Sequence, residues 1–331
     1  MAVSESPLGG AFHSGMPNEE LPLEEWVVEV ESLVRRYGDL TAVDGVSFRV
    51  RRGEIFGIVG PNGAGKTTTL ETIEGLQTPT SGSTRVLGMD SHRQAAEVKE
   101  LIGVQLQASA YFDFLTLREI LGLFGSFYRR RLPPQELLAR VGLQDKGNSQ
   151  VIHLSGGQQQ RFSIIASMVN DPQVLFLDEP TTGLDPQARR SLWELIREIR
   201  QQGTTIVLTT HYMEEAQTLC DRVAIMDYGR IVALDSPERL IEGLEAPFNL
   251  RLHLSTAVDA DRLAVAGVGR VSVNGEGQDR EYRLQVASVT DSLPPLLDRL
   301  AECKAQILDM EVEKATLEDV FLALTGRQVR D

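Results

Sequence analysis

The 331-residue sequence predicts an α/β domain with a buried parallel sheet, followed by a smaller α+β domain. Three patterns carry this expectation. The apolar run IFGIV (55–59) passes directly into a glycine-rich loop and then into a segment of helical composition, Thr67 to Leu76. The runs VLFL (174–177) and TTIVLTT (204–210) have the continuous hydrophobicity of strands covered on both faces. After about residue 240 the runs alternate instead, in the order β-α-β-β-α-β, the split pattern of ferredoxin-like domains.

Taken in order, residues 1–25 are rich in Gly, Pro, Ser and Glu without periodicity and read as a disordered tail. That tail has no Lys or Arg, so it lacks the charged start of a signal peptide. The first domain is expected over 26–240. It opens with the β-rich runs WVVEVESLV and VSFRVRRGE. Helical segments follow in AAEVKELI, LREILGLFGSFY and PPQELLARVGL, and another after the glycines at 156–157, giving a helical subdomain over about 90–170. Residues 187–201 have an amphipathic helical pattern, and RVAIMD and RIVALD flank Tyr228-Gly229 as a hairpin. The second domain, 241–331, has strand patterns at 248–254, 270–274, 281–286 and 306–312, with helical stretches at 258–267 and 289–303. Its last helix begins with a capping box of Thr316 and Asp319. Leu317, Val320, Phe321 and Leu324 form its apolar stripe, and Gly326 stops it.

Composition narrows the function classes. Hydrophobic residues at 42% and charged residues at 24% fit a globular protein with a full core. Lys plus Arg total 33 against 47 Asp plus Glu, a net charge of −14, which weighs against nucleic acid as a partner. Cys220 and Cys303 are the only cysteines, and the five histidines are scattered, so neither a disulfide scaffold nor a cysteine metal site is expected. No run approaches the ~20 apolar residues of a membrane span. A reducing, cytoplasmic setting follows.

The chemistry concentrates in four places. Gly60-Pro61-Asn62-Gly63-Ala64-Gly65-Lys66-Thr67, continuing into Thr68, has the Walker A spacing. Its glycines let backbone N–H groups close around phosphate oxygens, and the following helix adds its positive end. Lys66 would reach the β- and γ-phosphates, and the Thr67 hydroxyl would bind Mg²⁺. VLFLDEP places Asp178 and Glu179 at the C-terminal end of a buried strand, where α/β folds bind ligands. Asp178 suits Mg²⁺, and Glu179 suits a general base that positions the attacking water. Ser155-Gly156-Gly157-Gln158 precedes a helix and offers a second anion site. His211 follows the strand TTIVLTT, at the same edge as the carboxylates.

With these residues in this order, the chain resembles the nucleotide-binding subunit of an ATP-binding cassette (ABC) transporter, a P-loop NTPase. The resemblance covers about 26–240: Walker A at 60–67, a Q-loop at Gln107, the signature LSGGQ at 154–158, Walker B at 174–179, a D-loop at 183–186 and a switch histidine at His211. It implies that Tyr37 stacks on adenine and that Gln107 senses Mg²⁺ and water. Gln107 lies in IGVQLQ, where the family more often has an aromatic and a proline, and Gln105 is a weaker competitor. In the family two chains pair head to tail. Ser155 and Gly157 would then meet the γ-phosphate of ATP held by the partner, with Asp185 at the seam. ATP and Mg²⁺ are the implied ligands, and a separately encoded permease is the implied membrane partner.

The C-terminal domain ending in LEDVFLALTGRQVRD resembles that of daunorubicin-resistance-type exporter ATPases of bacteria. This implies efflux of a drug, antibiotic, lipid or similar amphiphile, from the cytoplasmic face of the plasma membrane. The basic cluster Arg129-Arg130-Arg131 reads first as a solvated helix end and otherwise as a contact to lipid headgroups or permease. A cytosolic, non-transport ABC ATPase of repair or translation is the competing class. The short span from Lys66 to Ser155 leaves no room for a coiled-coil insertion, and the chain holds one cassette.

Overall fold

The computed structural model describes residues 26–105, 111–275 and 280–326. The tail 1–25 and Gln107 lie outside the described residues. Two compact units divide the chain between Ser236 and Pro237.

In the first unit, β1 (Trp26–Tyr37) and β2 (Leu40–Arg51) pair antiparallel, longer than the short runs suggest. β3 (Ile55–Val59) is buried along its whole length and feeds α1 (Lys66–Ile73) through the glycine loop. β4 (Ser81–Val86) and β5 (Met89–Asp90) complete a four-stranded sheet in the order β2-β1-β4-β5. After α2 (Ala95–Lys99) comes β6 (Ile102–Gln105), which pairs parallel with β7 (Val174–Asp178). The stretch from 90 to 150 is therefore not uniformly helical. The four residues of β6 are too few to show a strand period between two helices, and their place is set by pairing with β7.

Helices α3 (Leu117–Gly125), α4 (Pro134–Arg140) and α5 (Gly156–Ala166) lie between β6 and β7 in the chain. The unit continues with α6 (Pro186–Gln201), β8 (Thr205–Thr210), α7 (Met213–Leu219), β9 (Arg222–Asp227) and β10 (Arg230–Asp235). The larger sheet has the order β10-β9-β3-β8-β7-β6, parallel except for the β9–β10 hairpin. Both sheets contribute to one core, where Phe48 and Phe56 stack with centroids 4.9 Å apart and Leu70 and Ile73 of α1 pack alongside. β3, β8 and β7 are neighbours, so the three segments leaving their C-terminal ends converge.

The second unit starts with α8 (Pro237–Glu242). β11 (Phe248–Leu254), α9 (Ala260–Leu263), β12 (Val268–Asn274), β13 (Glu281–Val286), α10 (Val289–Glu302) and β14 (Ile307–Lys314) follow in the β-α-β-β-α-β order. The sheet order β12-β13-β11-β14 is antiparallel throughout, each β-α-β being split by a strand of the other. Leu250, Leu252, Leu284, Leu296 and Leu300 form its core around Tyr282. The helix expected over 258–267 is confined to α9, because the chain turns at Val265 and again at Gly267 (φ +82°) to enter β12. The last helix, α11 (Leu317–Thr325), has the capping box of Thr316 and Asp319 and ends at Gly326 (φ +72°). Among the described residues no helix is long and apolar enough to cross a membrane.

Candidate active site

The loop after β3 admits only glycine at its ends. A Cβ on Gly60 would sit 2.2 Å from the Met226 carbonyl oxygen. Gly65 has φ +98°, and a Cβ there would meet the Ala42 carbonyl oxygen at 2.4 Å. Between them Ala64 is buried, with its N–H on the Pro61 carbonyl and its own carbonyl accepting from Gly229. Asn62 and Gly63 are exposed at the tip. Lys66 and Thr67 open α1, with Thr68 next, where first-turn N–H groups have no helical acceptor and suit an anion.

Lys66 is 4% exposed, and its Nζ donates to the carbonyls of Gly60 (2.9 Å) and Pro61 (3.2 Å). It also lies 3.3 Å from Glu179 Oε1. Burial lowers its pKa, and the Glu179 and Asp178 carboxylates offset part of that shift. Asp178, the last residue of β7, accepts from Thr67 Oγ1 at 3.1 and 3.2 Å and from Thr209 Oγ1 of β8. Burial raises its pKa against the pull of these hydroxyls.

Glu179 has φ +47°, a conformation that costs a non-glycine residue and turns the chain out of the sheet. Its N–H donates to Thr209 Oγ1 (3.0 Å). Its Oε2 accepts from Thr182 Oγ1 (3.1 Å) and lies 3.1 Å from His211 Nδ1. Burial pushes this carboxyl up, but Lys66, His211 and the bonds from His211 and Thr182 outweigh it, and the pKa ends below the ordinary value. Lys66, Thr67, Asp178, Glu179 and His211 thus form one cluster. Thr182 and Thr209 belong to it and were missed from sequence. Their only local signal is a hydroxyl beside Walker B and another at the end of a buried strand.

The signature residues stand apart from that cluster. Ser155 caps α5, its Oγ accepting from Gln158 N–H at 3.4 Å while Gln158 Oε1 accepts from Ser155 N–H at 3.2 Å. Asp185 caps α6, accepting from the N–H groups of Gln187 (3.0 Å) and Ala188 (2.9 Å). Ser155, Gly156, Gly157, Gln158 and Asp185 line one cavity of about 540 Å³, whose walls include none of residues 60–68. Tyr37 lies exposed at the end of β1 with the Arg35 guanidinium 4.4 Å from its ring centre. Among the described residues no hydrogen bond or ring contact joins Tyr37 to the loop. Gln105 is buried at the end of β6, opposite Leu177 in register.

The ABC transporter family profile matches residues 43–182. A Nod factor export ATP-binding protein I of Paraburkholderia xenovorans is 37% identical over 321 residues, covering 93% of this chain and 100% of that protein. The chain belongs to the ABC transporter ATP-binding family. Daunorubicin resistance ATP-binding protein DrrA3 of Streptomyces coeruleorubidus is 38% identical, covering 93% of this chain and 99% of that protein. Such coverage takes in most of the second unit as well as the cassette. A solved ATP-binding subunit of an ABC transporter is 31% identical with a TM-score of 0.58, covering 65% of this chain and 91% of that one. In this ABC ATPase, Lys66, Thr67, Asp178, Glu179 and His211 form one cluster, and Ser155, Gly156, Gly157, Gln158 and Asp185 line a separate cavity.

Proposed function

We propose that this subunit hydrolyses ATP with Mg²⁺ to drive export of a drug, antibiotic, lipid or similar amphiphile through a separately encoded permease. It would act at the cytoplasmic face of a bacterial membrane, as one of a head-to-tail pair of nucleotide-binding subunits. The observation that carries the hydrolytic part is the cluster of Lys66, Thr67, Asp178, Glu179 and His211 at the ends of three adjacent strands. Thr67 Oγ1 and the Asp178 carboxylate lie 3.1 Å apart and offer the hard oxygens that Mg²⁺ prefers. When bound there, Mg²⁺ would neutralise charge on the β- and γ-phosphates.

Lys66 exchanges its loop carbonyls for phosphate oxygens when ATP enters. Glu179, kept ionised by Lys66 and His211, orients the water and accepts its proton. His211, held against Glu179, is placed to contact the γ-phosphate. Export is favoured over a cytosolic, non-transport role because full-length relatives are named for Nod factor export and daunorubicin resistance. Glu179→Gln keeps the side-chain shape and removes the base. Turnover should fall by about 10²- to 10⁴-fold while ATP affinity is retained and a nucleotide-bound dimer accumulates. Near-normal turnover in an isotope-release assay would refute the assignment.

A further inference from the structure

Glu215 lies in α7, shortly after His211, and is not one of the residues in the phosphate cluster. It is fully buried, a costly place for a carboxyl unless donors surround it, whereas its neighbour Glu214 is exposed. Trp193 of α6, itself buried, donates its indole N–H to Glu215 Oε1 at 3.0 Å. Burial raises the Glu215 pKa, and the Thr210 hydroxyl, the Trp193 N–H, the Thr181 hydroxyl and the Arg189 charge oppose that rise. Thr210 ends β8 and joins Glu215 to the site. Its Oγ1 accepts from the Tyr212 N–H at 2.9 Å, closing a short turn over His211. That leaves the Thr210 hydroxyl proton for Glu215. Arg189 precedes Trp193 by one turn of α6 and sets its guanidinium 4.4 Å from the Tyr212 ring centre. The His211 and Tyr212 rings lie 4.1 Å apart. Helix α6 thus grips the switch segment at two points, Glu215 and Tyr212.

We propose that Glu215 is a positioning residue for ATP hydrolysis: it orients the Thr210 hydroxyl and so fixes the turn that holds His211 Nδ1 against Glu179. The inference rests on the reading of His211 as the γ-phosphate contact and adds what keeps that contact in place. The physical reason lies in the Thr210 hydroxyl. A hydroxyl rotates freely, so its lone pair stays on the Tyr212 N–H only while its proton is held elsewhere. Glu215 holds that proton. Trp193 in turn fixes the carboxyl, because Oε1 is committed to an indole N–H anchored in the core. His211 must present its second ring nitrogen to phosphate while Nδ1 stays 3.1 Å from Glu179 Oε2. A rotation of the turn that displaces this nitrogen by about 1 Å is enough to forfeit much of a transition-state contact.

The test measures ATP turnover and ATP affinity of the full chain as wild type, Glu215→Gln, Thr210→Val and His211→Ala. The first two changes are also each combined with His211→Ala. Gln keeps the size of Glu215 but turns an acceptor into a donor, and Val keeps the shape of Thr210 without its hydroxyl. Glu215→Gln and Thr210→Val should each lose about 10- to 100-fold in kcat, with ATP affinity within about twofold because the phosphate loop is untouched. In the His211→Ala background the same changes should cost less than about twofold more, since nothing is left to position. Full additional losses in that background overturn the inference and leave the His211 reading intact. Near-normal kcat in both Glu215→Gln and Thr210→Val does the same. Near-normal turnover by His211→Ala overturns the His211 reading and the inference with it. The imidazole nitrogen resonances of His211 give a check independent of turnover. They should move in Thr210→Val in the direction seen for Glu179→Gln, and unmoved resonances overturn the inference.

Discussion

Glu179 and Glu74 are both buried glutamates, and donors decide their different protonation. Glu179 has Lys66 at 3.3 Å, His211 at 3.1 Å and a Thr182 hydroxyl, so its carboxyl stays below the ordinary range despite burial. Among the described residues Glu74 has burial alone, with Asp178 and Glu71 adding repulsion, and rises from 4.5 to about 8. Between those two values the folded chain holds a proton that the unfolded chain has released. Stability from this site is therefore highest below the unfolded value and falls as pH rises, by up to about 1.4 kcal/mol per pH unit. Glu74→Gln should remove that slope. In denaturant titrations of the isolated chain its stability advantage over wild type should widen from about pH 5 to about pH 8. An advantage that does not change with pH would contradict the assigned shift. The two residues also differ in legibility. Glu179 is marked by its neighbours in VLFLDEP, as Lys66 is by its loop. Glu74 reads as an ordinary polar residue beside a helix, because the elements that cover it come from distant parts of the chain.

At the level of elements, legibility follows whether an element is defined locally or by its partners. α11 was readable because its start and stop are local: a capping box at Thr316 and a left-handed glycine at Gly326. β6 was not, because its strand conformation comes from pairing with β7, which lies some seventy residues later in the chain. The cap of α11 also has a wider role than its sequence shows. Asp319 accepts from Thr316 N–H at 2.8 Å, from Asn249 Nδ2 at 3.1 Å and from the Arg283 guanidinium at 3.3 Å. One carboxylate therefore ties the helix start to β11 and β13 inside the second unit. Asn249 is fully buried, so removing its acceptor leaves an unpaired donor. Asp319→Ala should destabilise this unit by about 1–3 kcal/mol, followed as an earlier unfolding transition, while ATP binding by the first unit persists. A loss below about 0.5 kcal/mol would show that the cluster is incidental.

For the whole molecule, the separation of two anion-ready surfaces is the organising fact. Ser155, Gly157 and Asp185 line a cavity that shares no residue with the cluster around Lys66, and the Ser155 cap of α5 gives that cavity a helix start. In the proposed head-to-tail pair, each chain would complete a site by presenting its signature to the other chain's phosphate loop. A closed two-fold pair does this twice, once at each nucleotide. Lys66→Ala disables the phosphate loop and leaves the signature, while Ser155→Arg fills the signature cavity and leaves the loop. Neither variant alone forms an intact site. Mixed in equal amounts, half of the pairs combine one of each, and each such pair regains one good site of its two, so ATPase activity should recover to roughly a quarter of wild type. Sites completed within a single chain would show no recovery at any mixing ratio, because every chain in the mixture is defective.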